Sequence, residues 1–321
     1  MIRTMIIKLT SNCNLACSYC YYVGHERTPK GKLNLQTLRY TLQKYSNYTG
    51  SEPASCRIYL HGGEPLLLGK RYIRSIAEEL KLYPNIKFNV SLQTNGVLLD
   101  NEWIDICLEN KIALGISLDG KKEKHDKFRV FPNGRGSYEN AMDAINLMKS
   151  RDVPFTTLVV VDPDQHQKDL YDFLMENGLY NLDFLIPMAN YQDIKEGQDI
   201  SVGKAFIDLF DCWFLQDDTR IKIRYFDAMI SKILTGRADD CTLNTVCSSV
   251  ITLQPDGSVE LCDDLSITND VAFVRHSKPI TELEFSEIET WTKNTLSEAG
   301  ASKLPDACRI CEIKDICTAG C

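Results

Sequence analysis

The sequence has no apolar run approaching the roughly 18 residues of a membrane-spanning helix, so no membrane partner is expected. Its start, MIRTMIIKLTSNCNLAC, offers only the short apolar stretch Met5 to Leu9, broken by Lys8, and lacks the longer apolar region and small-residue cleavage site of a secretory signal. A cationic excess is also missing. The 36 Lys plus Arg stand against 44 Asp plus Glu, a formal charge of -8, which argues against a phosphate-backbone binder and against nucleic acid as a partner. There is no internal repeat and no low-complexity linker. With 44% hydrophobic and 25% charged residues over 321 positions, disorder, collagen and coiled coil are excluded and a large core is within reach.

What the chain does have is cysteine, 13 in all. A secreted disulfide framework belongs to small domains behind a signal peptide, and neither condition is met. The expectation is a cytoplasmic protein whose clustered thiols stay reduced and bind metal or carry redox chemistry. Cys13, Cys17 and Cys20 form one cluster, and Cys241, Cys247, Cys262, Cys308, Cys311, Cys317 and Cys321 form a second, spread over the C-terminal region. Cys56, Cys107 and Cys212 sit in or beside expected strands and helices and read as inert core thiols.

Up to about Pro187, short apolar runs alternate with amphipathic segments, the pattern of repeated βα units on a parallel sheet. Strands are expected at Met5 to Leu9, Arg57 to His61, Phe88 to Gln93, Ala113 to Leu118, Phe155 to Val161 and Leu182 to Pro187. Helices are expected at Leu35 to Tyr45, Lys70 to Leu82, Asn101 to Asn110, Ser137 to Arg151 and Gln167 to Asn177, with Asn34 and Asp100 as N-caps. Six units rather than eight suggest an α/β fold built as an open, partial (β/α)6 barrel of the TIM-like kind, with functional residues at the carboxyl ends of the strands. Val202 to Leu215 and Tyr225 to Leu234 read as further helices. Beyond them lies a cysteine-bearing region with little helical periodicity, in which Val250 to Leu253 and Ser258 to Leu261 form a hairpin around Pro255-Asp256-Gly257. The expected division is a barrel over 1–200, a helical linker over 201–239 and a cysteine-bearing domain over 240–321.

The segment Cys13-Asn14-Leu15-Ala16-Cys17-Ser18-Tyr19-Cys20 places three thiols in the loop after the first strand. Three close thiolates can hold three irons of a 4Fe-4S cube and leave the fourth iron open for chemistry, whereas a structural zinc site would want a fourth ligand nearby. This CxxxCxxC resembles the signature of the radical S-adenosylmethionine (radical SAM) superfamily, in which the open iron chelates SAM and one electron cleaves it to a 5'-deoxyadenosyl radical. Other strand ends carry the same resemblance. Gly62-Gly63-Glu64-Pro65 follows strand two, Gln93-Thr94-Asn95-Gly96 follows strand three, and Ser117-Leu118-Asp119-Gly120 follows strand four, with His125, Asp126 and Arg129 beyond. Singly these are turns and strand ends; together they fall in chain order at four successive strands. The resemblance implies that Gly62, Gly63 and Glu64 meet the SAM ammonium, that Gln93, Ser117 and Arg129 belong to the SAM site, and that Tyr19 and Ala189 lie near the adenine.

The C-terminal cysteines resemble a SPASM domain, the extension that holds two auxiliary 4Fe-4S clusters in many peptide-modifying relatives. That resemblance implies Cys241, Cys247, Cys262 and Cys321 on one cluster and Cys308, Cys311 and Cys317 on the other. Three 4Fe-4S clusters, one of them open, would use eleven cysteines and these positions supply ten, so the expectation is either a chain continuing beyond Cys321 or a site with a non-cysteine or open position. By the same resemblance the acid after Cys262 is the base that accepts a substrate proton, which singles out Asp263, with Asp264 as alternate; two solvated turn acids are the plainer reading.

The implied substrate is a precursor peptide, and the implied electron donor a flavodoxin or ferredoxin. Asp183-Phe184-Leu185-Ile186-Pro187, Phe210-Asp211-Cys212-Trp213 and Ile223-Arg224-Tyr225-Phe226 resemble maturases of ribosomally made peptides that join an aromatic side chain to a nearby β-carbon as a cyclophane. With no room before Met5 for a leader-binding domain, the barrel, the C-terminal region or another chain would recognise the peptide. The alternatives are anaerobic sulfatase maturation, which converts Cys or Ser to formylglycine, and a non-catalytic iron-sulfur electron carrier.

Overall fold

A computed structural model of the chain describes residues 1–24, 28–188, 202–243, 249–268, 270–298 and 306–317. From β1 (Thr4–Thr10) the chain passes through the first cysteine cluster to α1 (Leu35–Thr49), and then alternates: β2 (Ala54–Gly62), α2 (Lys70–Lys81), β3 (Ile86–Thr94), α3 (Asn101–Glu109), β4 (Ile112–Ser117). It continues with α4 (Lys122–Phe128), α5 (Tyr138–Ser150), β5 (Phe155–Val160), α6 (Gln167–Glu176) and β6 (Asn181–Leu185). All six expected strands are present. The side chain of Asn34 accepts from the Gln36 N–H and that of Asp100 from the Trp103 N–H, each at 2.9 Å, so both predicted N-caps hold their helices' free donors. Helix α1 buries Leu38, Thr41, Leu42 and Tyr45 at spacings of three, one and three, one apolar stripe against the sheet.

Strands β1 to β6 lie side by side in chain order and parallel, the order expected of six consecutive βα units. After β6 come α7 (Gly203–Gln216), β7 (Lys222–Ile223), which extends the β6 edge, and α8 (Arg224–Thr235). The hairpin also forms. β8 (Val250–Leu253) and β9 (Ser258–Glu260) pair antiparallel, with Gly257 at φ +86° in the turn, a conformation that glycine adopts without a Cβ clash. α9 (Val271–Val274), β10 (Arg275–Pro279), α10 (Phe285–Glu298), α11 (Asp306–Arg309) and α12 (Lys314–Cys317) complete the described elements.

The hairpin is not a separate layer. β8 lies parallel to β1 on the edge that β2 leaves free, Thr4 opposite Val250 and Ile7 opposite Leu253, so among the described residues one ten-stranded sheet runs β10-β9-β8-β1-β2-β3-β4-β5-β6-β7. The core is shared accordingly. Tyr45 of α1 meets Phe285 of α10 edge-on at 5.0 Å, and Lys44 donates to the carbonyls of Ile280, Thr281 and Leu283. Helix α10 corrects the expectation of little helical periodicity in the C-terminal region: its buried positions Phe285, Ile288, Thr292 and Leu296 keep helical spacing, but a threonine in the stripe hides it from an apolar count. Helix α4 was also unexpected, because Lys122 to Phe128 is almost wholly polar. Among the described residues no helix is long and apolar enough to cross a membrane.

Candidate active site

The carboxyl ends of β1 to β4 converge on the first cysteine cluster. Gly62 and Gly63 close β2 against that loop: the Gly63 N–H donates to the Thr10 carbonyl at 2.7 Å and the Glu64 N–H to the Asn12 carbonyl at 2.8 Å. A Cβ on Gly62 would stand 2.4 Å from the Thr10 oxygen and one on Gly63 2.1 Å from the Asn12 oxygen. The two glycines are therefore needed for backbone contact with the cysteine loop, whatever they also do for a ligand. The Glu64 carboxylate turns inward, accepting from the Leu66 N–H at 3.0 Å, the Asn95 N–H at 2.8 Å and the Thr94 hydroxyl at 2.8 Å. Burial pushes its pKa up to about 7 despite those donors. Asn95 reaches back to Asn14 at 2.8 Å and to the Cys13 sulfur at 3.8 Å.

Next to this, Gln93 donates to the Ser117 hydroxyl at 3.0 Å across β3 and β4. Gly115 makes room for it, since a Cβ there would meet the Gln93 side-chain oxygen Oε1 at 2.1 Å. Arg129 binds Asp119 through two guanidinium nitrogens, at 2.8 and 3.2 Å, and both side chains are buried. Asp119 also accepts from the Tyr19 hydroxyl and, at 3.1 Å, from the Val160 N–H, while Arg129 lies 5.4 Å from the Tyr19 ring centre. His125 and Ser137 buttress the pair: Ser137 donates to the Arg129 carbonyl at 2.8 Å and lies 3.0 Å from His125 Nε2. Tyr19 and Arg129 thus meet on Asp119, which had no assigned role, beside the cysteine loop, and Gln93 and Ser117 form a second pair on β3 and β4.

A second assembly lies on the β8 side. Lys8 of β1 has no exposed side-chain surface, yet its ammonium donates to Asp263 Oδ2 at 2.7 Å and to the Tyr21 hydroxyl at 2.9 Å, and lies 3.3 Å from His61 Nδ1. The Tyr21 and Tyr22 ring centres are 5.0 and 4.7 Å from it. Tyr21 donates to the same Oδ2 at 2.5 Å. Oδ2 is thereby doubly occupied, while Oδ1 is buried with no hydrogen-bond partner among the described residues. Burial works against this carboxylate, but the Lys8 charge, with smaller parts from His61 and Tyr21, outweighs it and holds Asp263 below the usual range. Asp264 moves the other way, its pKa raised by burial and by Asp263 beside it. The signal for Lys8 was legible: a charged residue inside an otherwise apolar strand is buried with a partner.

The three thiols suit an iron-sulfur cluster. Burial pushes Cys13 up to about 12 and raises Cys17, and Cys13, Cys17 and Cys20 lie within one another's fields, so thiolates here call for a compensating cation. Backbone N–H groups already point at sulfur, Leu15 at Cys13 (3.4 Å) and Val23 at Cys20 (3.2 Å), as donors do around cluster ligands. Among the described residues no three His, Cys, Asp or Glu side chains close around a single ion, whereas a cube distributes its ligands over several irons. Cys262 precedes Asp263 at the end of β9, Cys241 opens a short turn after α8, and Cys308, Cys311 and Cys317 lie on or beside α11 and α12. Cys247, Cys321 and Ala189 fall outside the described residues. Cys56 and Cys107 are buried in the core and Cys212 packs partly buried against it.

Residues 7–175 match the Radical SAM superfamily. The chain is 31% identical to a cysteine-type anaerobic sulfatase-maturating enzyme of Clostridium novyi, covering 99% of this chain and 87% of that one. It is 27% identical to a serine-type anaerobic sulfatase-maturating enzyme of Klebsiella aerogenes, covering 96% and 76%. Among solved structures, native anSMEcpe with bound AdoMet and the Kp18Cys peptide superposes with a TM-score of 0.87 at 28% identity, covering all of this chain and 89% of the other.

Proposed function

This chain belongs to the radical SAM superfamily, and from that premise we propose that it oxidises a cysteine or serine side chain of a peptide to an aldehyde, as a formylglycine-forming maturase. One observation carries the reading: Asp263, placed by the β8–β9 hairpin beside β1, has one oxygen held by Lys8 and Tyr21 and the other buried without a partner among the described residues. Relatives spanning nearly the whole chain are named for sulfatase maturation, and a structure of similar fold binds a cysteine-containing peptide. These favour formylglycine over the cyclophane crosslink, which rested on short stretches now seen as a strand end (Asp183 to Leu185) and helix faces (α7, α8).

Cys13, Cys17 and Cys20 would hold a 4Fe-4S cluster that, with SAM, would supply a deoxyadenosyl radical for abstraction of one hydrogen atom from the substrate β-carbon. The chain's own part is to hold SAM and dispose of a proton. Tyr19, Ser117, Gln93 and Arg129 offer donors and a ring face beside the cysteine loop, suited to a carboxylate, a ribose and an adenine. Because Thr94, Asn95 and Leu66 occupy the Glu64 carboxylate, the Gly62–Glu64 segment would meet the SAM ammonium through backbone carbonyls. Asp263 Oδ1 takes the thiol or hydroxyl proton. Cys262, next to the base, and the other C-terminal cysteines would hold an auxiliary cluster, which would supply an acceptor for the second electron. For cysteine, hydrolysis of the resulting thioaldehyde releases hydrogen sulfide.

The test is turnover by anaerobically reconstituted protein with SAM and dithionite. A cysteine peptide should show the mass change of thiol to aldehyde with deoxyadenosine formed alongside, and Cys17→Ala should abolish both. Loss of two hydrogens from an aromatic-rich peptide, with no aldehyde from cysteine or serine peptides, would reinstate the crosslinking reading.

A further inference from the structure

His61 sits opposite Lys8 in the β1–β2 register, on the face of β2 that alternates away from the buried Cys56, Ile58 and Leu60. It immediately precedes the two glycines that close on the cysteine loop. Its Nδ1 accepts from the Gly62 N–H at 2.7 Å and faces the Lys8 ammonium at 3.3 Å. Both neighbours are donors, so Nδ1 is the bare nitrogen and the ring proton resides on Nε2. A proton on Nδ1 would confront an N–H and a cation together. Burial and Lys8 also lower the ring's pKa to about 4, which keeps it neutral in the working range. Nε2 has no hydrogen-bond partner among the described residues and is not sealed from solvent. Two side chains, His61 and Asp263, therefore converge on one ammonium, and each leaves one polar atom unpartnered: a fixed donor, Nε2–H, and a fixed acceptor, Oδ1.

We propose that His61 is a positioning residue whose Nε2–H donates to a main-chain carbonyl of the bound peptide, beside the residue whose proton passes to Asp263. The donor fixes the peptide's register, so that the reacting side chain stands between Asp263 and the cysteine loop. This inference rests on the peptide-oxidising reading above. It assigns His61 no proton transfer, so the role has a distinct kinetic signature.

The experiment compares wild type, His61→Gln and His61→Leu as cluster-loaded enzymes, with the cysteine peptide that the wild type turns over. His61→Leu should raise the peptide KM about tenfold, the worth of one buried hydrogen bond, with kcat changed less. It should also make more deoxyadenosine per aldehyde, because a loosely held peptide lets the radical be spent elsewhere. His61→Gln, which restores an N–H at similar reach, should return KM to within about threefold of wild type. Wild-type KM should stay flat from about pH 8 to about pH 6, as a neutral donor requires. A His61→Leu KM within twofold of wild type, failure of Gln to rescue, or a KM that tracks protonation near pH 6.5 would overturn the proposal. Where His61→Leu does not load its clusters, His61→Met replaces it as the variant without a donor. If the wild type oxidises neither cysteine nor serine but modifies another peptide, the functional reading falls, and the same comparison on that peptide still decides the role of His61.

Discussion

Replacement of Asp263 by Asn keeps the size of the side chain and removes its charge, and the structure says what each loss should cost. Loss of a general base slows a proton-coupled step by about 10²- to 10⁴-fold. A second effect is mixed in: Lys8, wholly buried, loses the carboxylate at 2.7 Å, and stripping one partner from a buried pair costs about 3–5 kcal/mol. The double variant Lys8→Met/Asp263→Asn separates the two, because it removes the stranded cation without restoring a base. Thermal stability and aldehyde formation should both be measured anaerobically, with deoxyadenosine quantified in the same samples. Asp263→Asn should still cleave SAM, form aldehyde at least about 10²-fold more slowly and unfold at lower temperature. The double variant should recover stability and stay equally slow. Aldehyde formation within about tenfold of wild type in Asp263→Asn, or recovery of turnover in the double variant, would refute Oδ1 as the proton acceptor. Because Lys8 holds the Asp263 pKa down, the wild-type rate should show no loss on this group's account between about pH 8 and about pH 5, falling only as pH drops through the lowered value.

Other consequences are as direct. Gly63→Ala would drive a Cβ to 2.1 Å from the Asn12 carbonyl and displace the loop that carries Cys13, so iron content after reconstitution should fall, while Gly203→Ala, at the open start of α7, should leave it unchanged. Glu64→Gln keeps one acceptor but turns an amide N–H toward one of the three donors now held, which should destabilise the protein by about 1–3 kcal/mol in denaturant titrations of the apoprotein and weaken SAM binding. His125 is buried beside Arg129 and its pKa is lowered to about 4, so its share of stability is complete above about pH 6.5 and lost as pH falls toward 4. The unfolding temperature should drop over that window, and less steeply in His125→Gln.

The sheet was legible because short apolar strands alternate with amphipathic helices; all six expected strands agree with the structure to within three residues at either end. The motif residues were legible too, since strand ends mark where βα loops gather. Their partners were not. Asp119 stood inside a quoted motif, but nothing in a linear string shows that Tyr19, Arg129 and the Val160 N–H all converge on it. Lys8 was visible as an anomaly, yet its link to Asp263 spans 255 positions and depends on β8 pairing with β1, a contact that local periodicity does not encode. Glu64 carries a structural task that its motif did not announce: its carboxylate holds the Thr94 hydroxyl and the Asn95 and Leu66 N–H groups.

The pairing of Thr4 with Val250 also bears on how the molecule is made. One edge of β1 must wait for a partner 246 positions further along the chain (250 − 4), and an open strand edge is a template for wrong pairing. Contacts this distant in the chain slow folding and prolong exposure of partly assembled sheet. The nascent protein thus carries its cysteine loop, and the strands around it, well before it carries Asp263. The part that would generate a radical is assembled first, and the group that would take up the proton only when the β8–β9 hairpin docks on β1.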